Sequence, residues 1–333
     1  MFKIKFSFLI KLILAPFILI LLFVELFLFK FFKIKNSNLS YQMMIKLFIL
    51  TGGWSNNLFH NFLSVKSKNI KDDDYSKNFS ELFSKNGFFL ERDFVLNEKC
   101  LSFKKQLVQI KGFWQGDNYS SKEKELLDIN DHKEVKFYYD SSDLIRLDLP
   151  KQLIFDPRIL ELATLSLKSK PILSNLNCWW SFPSKVPDKI SAQWWHFDMD
   201  TPRWVKFFFY IDDCKDVNGP HSFIKGSHNN NCIPYSLRKM GYNRLPDAEI
   251  NKYYMEKEIL EFNCKAGSLL IENTKGLHKG KRVIEGKRLI FQLEFTSSLF
   301  GANLDNIKIL SKDKEEFLRL IGKNNYIYQN FKL

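Results

Sequence analysis

Cysteine is scarce in this 333-residue chain. Its five cysteines (Cys100, Cys178, Cys214, Cys232 and Cys264) are odd in number and far apart, with no CxxC pair. That excludes a disulfide framework and a structural zinc cluster, and it fits a reducing compartment. Runs of one charge are missing too. The formal net charge is +13, yet the lysines are scattered, with no block of five or more. A basic balance without a concentrated patch reads as a solvated, lysine-rich surface, so no nucleic-acid partner is expected. No internal repeat is found. Histidine is nearly as rare as cysteine, with six residues (His60, His132, His196, His221, His228 and His278), so the supply of imidazole ligands is small.

Apolar residues, in contrast, make up 45% of the chain, with 33 phenylalanines, enough for a sizeable core. From Leu12 to Phe29 the chain is apolar except for Glu25, with Lys3, Lys5, Lys11, Lys30, Lys33 and Lys35 around it. Extended back to Phe6, the run is long enough to span a bilayer if Lys11 and Glu25 snorkel near its ends. No small-residue cleavage site follows, which speaks against a signal peptide. Residues 1–35 are therefore expected to form a single membrane anchor. An interfacial helix, or a helix packed on the domain, is the alternative. Three lysines on each side leave the orientation open. Residues 36–78 read as a membrane-proximal helical segment (Met43 to Leu50, ended by Gly52-Gly53-Trp54) and a polar linker over 65–78.

The main domain is expected over residues 79–300, with a helical tail over 301–333 that includes a helix at 313–322. The pattern predicts a helix at Phe79–Lys85, a turn at Asn86-Gly87 and a strand at Phe88–Leu90. Helices at Asn97–Lys111 and Pro157–Lys168 follow. Strands are predicted at Leu176–Phe182, Ala192–Asp198, Trp204–Ile211, Ser268–Glu272 and Arg288–Thr296. Short strands preceded by helices predict a mainly β fold with flanking helices, a double-stranded β-helix of jelly-roll or cupin-like type.

Within that frame one hexapeptide, Gln193-Trp194-Trp195-His196-Phe197-Asp198, carries chemistry. In a strand, positions i and i+2 share a face, so His196 and Asp198 can offer an imidazole nitrogen and a carboxylate oxygen to one metal. A third histidine would complete the two-histidine, one-carboxylate face associated with iron(II) oxygenases. Alone, His-x-Asp arises often by chance, and its bland reading is a solvated strand end. His278 lies 80 positions on (278 − 198), after a predicted strand and the loop Asn273–Leu277. Arg288 follows ten residues later (288 − 278), across a turn at Glu285-Gly286-Lys287. An arginine there can hold the distal carboxylate of a five-carbon dicarboxylate bidentately. By parity, Arg288, Ile290, Gln292, Glu294 and Thr296 share one face of their strand, and Leu289, Phe291, Leu293 and Phe295 the other. His228 reads as structural, His221 as a turn residue, and His60 and His132 as solvent-facing. Of Trp179, Trp180, Trp194 and Trp195, Trp194 shares the parity of His196 and Asp198 and is the best candidate to line a pocket.

Around these residues the chain resembles the phytanoyl-CoA dioxygenase family of 2-oxoglutarate oxygenases, over roughly residues 79–298. The resemblance is carried by Asn86-Gly87-Phe88, Trp194 to Asp198, Lys206–Asp213 and Asn218-Gly219-Pro220 to Gly226-Ser227-His228. Ala266-Gly267-Ser268, Gly276-Leu277-His278 and Gly286-Lys287-Arg288 complete it. It implies that His196, Asp198 and His278 bind Fe(II) and that Arg288 anchors 2-oxoglutarate. It also implies hydroxylation of a small-molecule or lipid-type substrate by molecular oxygen, with release of succinate and CO2. The chain departs from the pattern at two positions. Gly280 stands where family members often carry Ser or Thr, leaving Gln292 or Lys206 as the second co-substrate contact, and Lys225 replaces a proline. Asp198 fills the position that related halogenases vacate for chloride, which favours hydroxylation. The rival readings are a non-catalytic β-helix binding protein at the membrane and another cupin-type metalloenzyme. Iron(II), 2-oxoglutarate and unpaired cysteines would all suit a catalytic domain facing the cytoplasm.

Overall fold

The computed structural model describes residues 6–67, 73–116, 120–189 and 191–332. In chain order the strands are β1 (Phe88–Glu91), β2 (Lys111–Gln115), β3 (Glu125–Leu126), β4 (Lys136–Tyr139), β5 (Ile172–Ser181) and β6 (Trp204–Tyr210). They continue as β7 (His221–Ile224), β8 (Ile259–Phe262), β9 (Leu269–Glu272), β10 (His278–Gly280) and β11 (Arg288–Thr296). The helices are α1 (Phe6–Phe32), α2 (Asn38–Thr51), α3 (Trp54–Leu63), α4 (Asp74–Asn86), α5 (Asn97–Leu107), α6 (Ser141–Leu144), α7 (Asp148–Ile154) and α8 (Pro157–Leu167). A last helix covers Lys314–Ile321.

Period-2 alternation along β11 sets the layering. Leu289, Phe291, Leu293 and Phe295 pack with Phe207 and Phe209 of β6, Cys178 and Trp180 of β5, and residues of α4, α5, α7 and α8 in the largest core cluster. The opposite face sends Ile290 into a second cluster with Phe208, Tyr210 and Leu270, against Phe223 and Phe262 of the smaller sheet. Both faces are covered, so all nine residues of β11 are buried. The larger antiparallel sheet runs β1-β9-β6-β11-β5-β4-β2-β3, and the smaller runs β10-β7-β8. A mainly β fold with flanking helices, consistent with a cupin-like architecture, is the result.

Local sequence explains the entries and exits. Asp73 caps α4 by accepting from the Ser76 N–H (2.8 Å), and Gly87 ends it in the left-handed region (φ 87°). Asp156 caps α8 in the same way (2.8 Å from the Arg158 N–H), with Pro157 at the first position. Several elements differ from expectation: α4 begins at Asp74, inside the expected linker, and β5 begins at Ile172, four residues before the expected start. α5 stops at Leu107, and Lys111 already belongs to β2. Ala192–Asp198 forms no strand. Its β-type pairing is limited to single bridges, Trp195 with Leu245 and His196 with His278. Ala192 holds a left-handed φ of 59°, and successive residues pair with unrelated partners, so no ladder can propagate.

The N-terminal expectation is also corrected. Among the described residues no helix is long and apolar enough to cross a membrane. That overturns the single-span anchor and the anchored, cytoplasm-facing placement built on it, and leaves the membrane partner without support. The described part of α1 is folded onto the protein instead. Leu22 and Leu26 are buried with Met44, Phe59, Leu63 and Phe300, and Phe29 meets Phe300 edge-on (5.5 Å). Glu25, expected to snorkel, and the flanking Lys30 have protein partners. Glu25 accepts from the Ser37 N–H (2.6 Å), and Lys30 donates to the Phe62 carbonyl. Lys3, Lys5, the side chain of Lys11 and linker residues 68–72 lie outside the described residues.

Candidate metal centre

His196, Asp198 and His278 converge although no strand carries the first two. His196 and His278 exchange both backbone hydrogen bonds (3.0 and 2.9 Å), which ties the loop alongside β10. The Asp198 N–H donates to the Thr274 carbonyl (2.9 Å), and the Trp204 indole donates to the Thr274 hydroxyl (2.7 Å). Behind them Phe197 stacks on Phe48 of α2 (5.9 Å between centroids). One potential ligand atom from each of the three lies within 4.8 Å of the others, and all three residues are buried.

The donor set fits a divalent metal. The Nδ1 atoms of His196 and His278 lie 2.8 and 3.0 Å from the Trp194 and Gly276 carbonyls. A carbonyl can only accept, so each Nδ1 carries the proton and each Nε2 keeps its lone pair. Burial lowers the pKa of both imidazoles, to about 4 for His278, and keeps them in the neutral form that ligates. Burial alone would raise the Asp198 carboxyl. The Lys206 ammonium, 2.7 Å away, and the two histidines override it and hold the group well below the usual carboxylate range.

Lys206 is committed to acids. Besides Asp198 it lies 3.6 Å from Glu294, its cross-strand neighbour on β11, and it stands opposite Glu272 on β9. Burial raises Glu272 to about 8 and Glu294 to about 7. Glu294 accepts from the Ser174 hydroxyl (3.2 Å), whereas neither oxygen of Glu272 has a hydrogen-bond partner, the His221 Nδ1 standing 4.0 Å away.

Arg288 stands at the other end of β11. It is 4% exposed, and one Nη donates to Ser181 (3.3 Å) while Nε and the other Nη have no partner. An orphaned buried guanidinium is expensive unless an anion completes it. Gly280 leaves the space for one, since a Cβ there would stand 3.1 Å from the guanidinium. Gln292 is buried on the same face of β11, cross-strand from Asn177 and Phe208. Trp194 is not brought to the triad. Its indole donates to the Pro187 carbonyl (3.0 Å) and carries Lys189 over its ring.

Residues missed in the sequence surround the site. The Lys136 ammonium lies over the Trp179 ring (4.8 Å), and burial, then Arg288 and Lys206, push it down to about 8. Its only signal was membership of a short aromatic run. Tyr41 of α2 and Tyr242 share a hydrogen bond (2.6 Å), and Tyr242 donates to Asp200 (2.9 Å), so the N-terminal region reaches the loop that carries Asp198. Nothing in the sequence pointed to that pairing. His60, expected at the surface, is buried on α3, and burial lowers it to about 3. His228 is buried, and its Nε2 donates to the Ser84 carbonyl (3.0 Å). All five cysteines are free.

Residues 83–287 match the family model described as phytanoyl-CoA dioxygenase (PhyH). No curated protein matches the chain. Among solved structures it is similar to HygX from Streptomyces hygroscopicus with nickel and 2-oxoglutarate bound (16% identity, 68% of this chain and 88% of that one, TM-score 0.48). It is also similar to EctD from S. alaskensis in its apoform (15%, 70% and 81%, TM-score 0.49). A third is the non-heme alpha ketoglutarate dependent epimerase SnoN from nogalamycin biosynthesis (14%, 67% and 82%, TM-score 0.47).

Proposed function

The chain belongs to the phytanoyl-CoA dioxygenase family, and we propose that it is an iron(II)- and 2-oxoglutarate-dependent hydroxylase whose metal is held by His196, Asp198 and His278. The observation that carries the assignment is the convergence of three ligand atoms within 4.8 Å, with both histidine Nδ1 atoms already spent on carbonyls. When bound, iron(II) with 2-oxoglutarate supplies the power to activate oxygen and oxidise an unactivated C–H bond, releasing succinate and CO2.

The chain's own residues do the rest. Lys206 keeps Asp198 anionic, and the Trp194 and Gly276 carbonyls fix the imidazole tautomers. Arg288 holds the distal carboxylate of 2-oxoglutarate, which supplies the two missing partners of its guanidinium. With Lys206 engaged by Asp198 and Glu294, Lys136 joins Gln292 as a candidate second contact. Burial of the triad excludes bulk water and strengthens these interactions. We take residues 79–300 as the catalytic unit, a double-stranded β-helix, with a small-molecule or lipid-type substrate. Oxygen-dependent conversion of 2-oxoglutarate to succinate by the anaerobically iron-loaded chain tests this. Turnover that persists undiminished in His196→Ala would refute the ligand set.

A further inference from the structure

A polar chamber of about 220 Å³ lies away from the triad, where β6 begins. It is walled by α3, α4, the end of α8 and the loops at 228–230 and 273–275, and no triad residue lines it. Three cations do line it, Lys168, Arg203 and Lys275, and its lining contains no aspartate or glutamate.

Arg203 and Lys275 are satisfied only by neutral groups. The Arg203 guanidinium donates to the Leu167 carbonyl (3.3 Å) and to the Asn57 amide oxygen (3.1 Å), and the Lys275 ammonium donates to the Asn230 amide oxygen (3.1 Å). Among the described residues none of the three forms an ion pair. Lys168 is exposed, but Arg203 and Lys275 are mostly covered. Burial lowers both of these, Lys275 to about 8, with Arg203 the next cause for Lys275. Two neighbouring half-buried cations without a counter-charge oppose folding, and packing alone would be served as well by neutral side chains. A Cβ on Gly53, the residue before α3, would stand 3.6 Å from the Lys275 ammonium, so the backbone passes close to that cation.

We propose that this chamber binds a small phosphate-type oxyanion, free or as the monoester of a small metabolite. The guanidinium of Arg203 and the ammonium of Lys275 would supply the charge, with Asn57 and Asn230 turning amide donors toward the ligand. The space is well above the roughly 10–15 Å³ that one water needs, which leaves room for a phosphate group and a few further atoms. The chamber adjoins the metal centre's scaffold without sharing a ligand. Lys275 follows Thr274, whose carbonyl accepts from the Asp198 N–H (2.9 Å).

Calorimetric titration of the full-length chain with inorganic phosphate, and separately with glycerol 3-phosphate, tests the site at constant ionic strength set with chloride. One saturable site per chain is expected, weakened roughly tenfold or more by Lys275→Gln and by Arg203→Gln. Lys168→Gln, at an exposed position, should weaken binding less and serves if either of the others fails to fold. Tighter binding of the ester identifies a phosphate monoester as the ligand class, and tighter binding of the inorganic ion identifies free phosphate. Absence of a saturable site for both probes overturns the proposal, as does affinity unchanged across all the folded variants.

Discussion

Lys206→Met removes the cation around which the metal centre's acids are arranged. Its ammonium is 2.7 Å from Asp198 and 3.6 Å from Glu294, and the side chains of this trio are 16%, 11% and 6% exposed. Truncating one partner of a pair this deeply buried costs about 3–5 kcal/mol, because the other charge is left uncompensated. Asp198 would then share a dry pocket with Glu294 and Glu272 and no cation among them. A divalent ion on His196, Asp198 and His278 restores a counter-charge, so the deficit should be largest without metal and shrink on loading. In the wild type, metal at about 100 times its Kd contributes about 2.7 kcal/mol, and the variant should gain at least about 1 kcal/mol more than that. Urea unfolding followed by tryptophan fluorescence at pH 8, in EDTA and in manganese(II), measures both quantities. A loss below about 1 kcal/mol in EDTA, the value of an ordinary surface pair, would refute the reasoning. A metal-induced gain no larger than the wild type's would refute it equally.

His228 is buried and neutral in the fold, with burial and then Lys275 lowering it to about 4 from 6.5. Its folded pKa lies below the unfolded value, so its contribution is present above pH 6.5 and is lost as pH falls toward 4. The loss should reach about 3 kcal/mol and be smaller in His228→Gln, as seen in urea midpoints at pH 7.5 and 4.5. Gly87→Ala should destabilise by about 1–3 kcal/mol, because φ is 87° and the new Cβ would meet the His228 ring at 2.4 Å. Thermal unfolding of that variant checks it.

What could be read from the sequence follows from which interactions are local. The limits of β11 were legible to the residue, because Arg288–Thr296 alternates apolar and polar and the apolar set has one face to fill. The end of α4 at Gly87 and the start of α8 at Pro157 were legible too, whereas the first turn of α4, capped by Asp73, lies in a segment read as linker. The grouping of His196, Asp198 and His278 was anticipated through an i, i+2 rule for strands, yet the segment is a loop. Its direction comes from Leu245 and His278, partners that no local pattern reveals. The N-terminal run misled for a similar reason. Leucines and phenylalanines at that density suit lipid or protein equally, and the choice is made by Met44, Phe59 and Phe300. Lys136 and Glu272 went unnoticed because parity names a face without saying which charges it will meet.

Anaerobic calorimetry of the full chain, with iron(II) and then 2-oxoglutarate, bears most directly on the metal centre. One iron per chain is predicted for the wild type, lost in His196→Ala, Asp198→Ala and His278→Ala. Arg288→Met should keep the iron and lose 2-oxoglutarate. Iron stoichiometry and affinity unchanged in all three ligand variants would contradict the assignment.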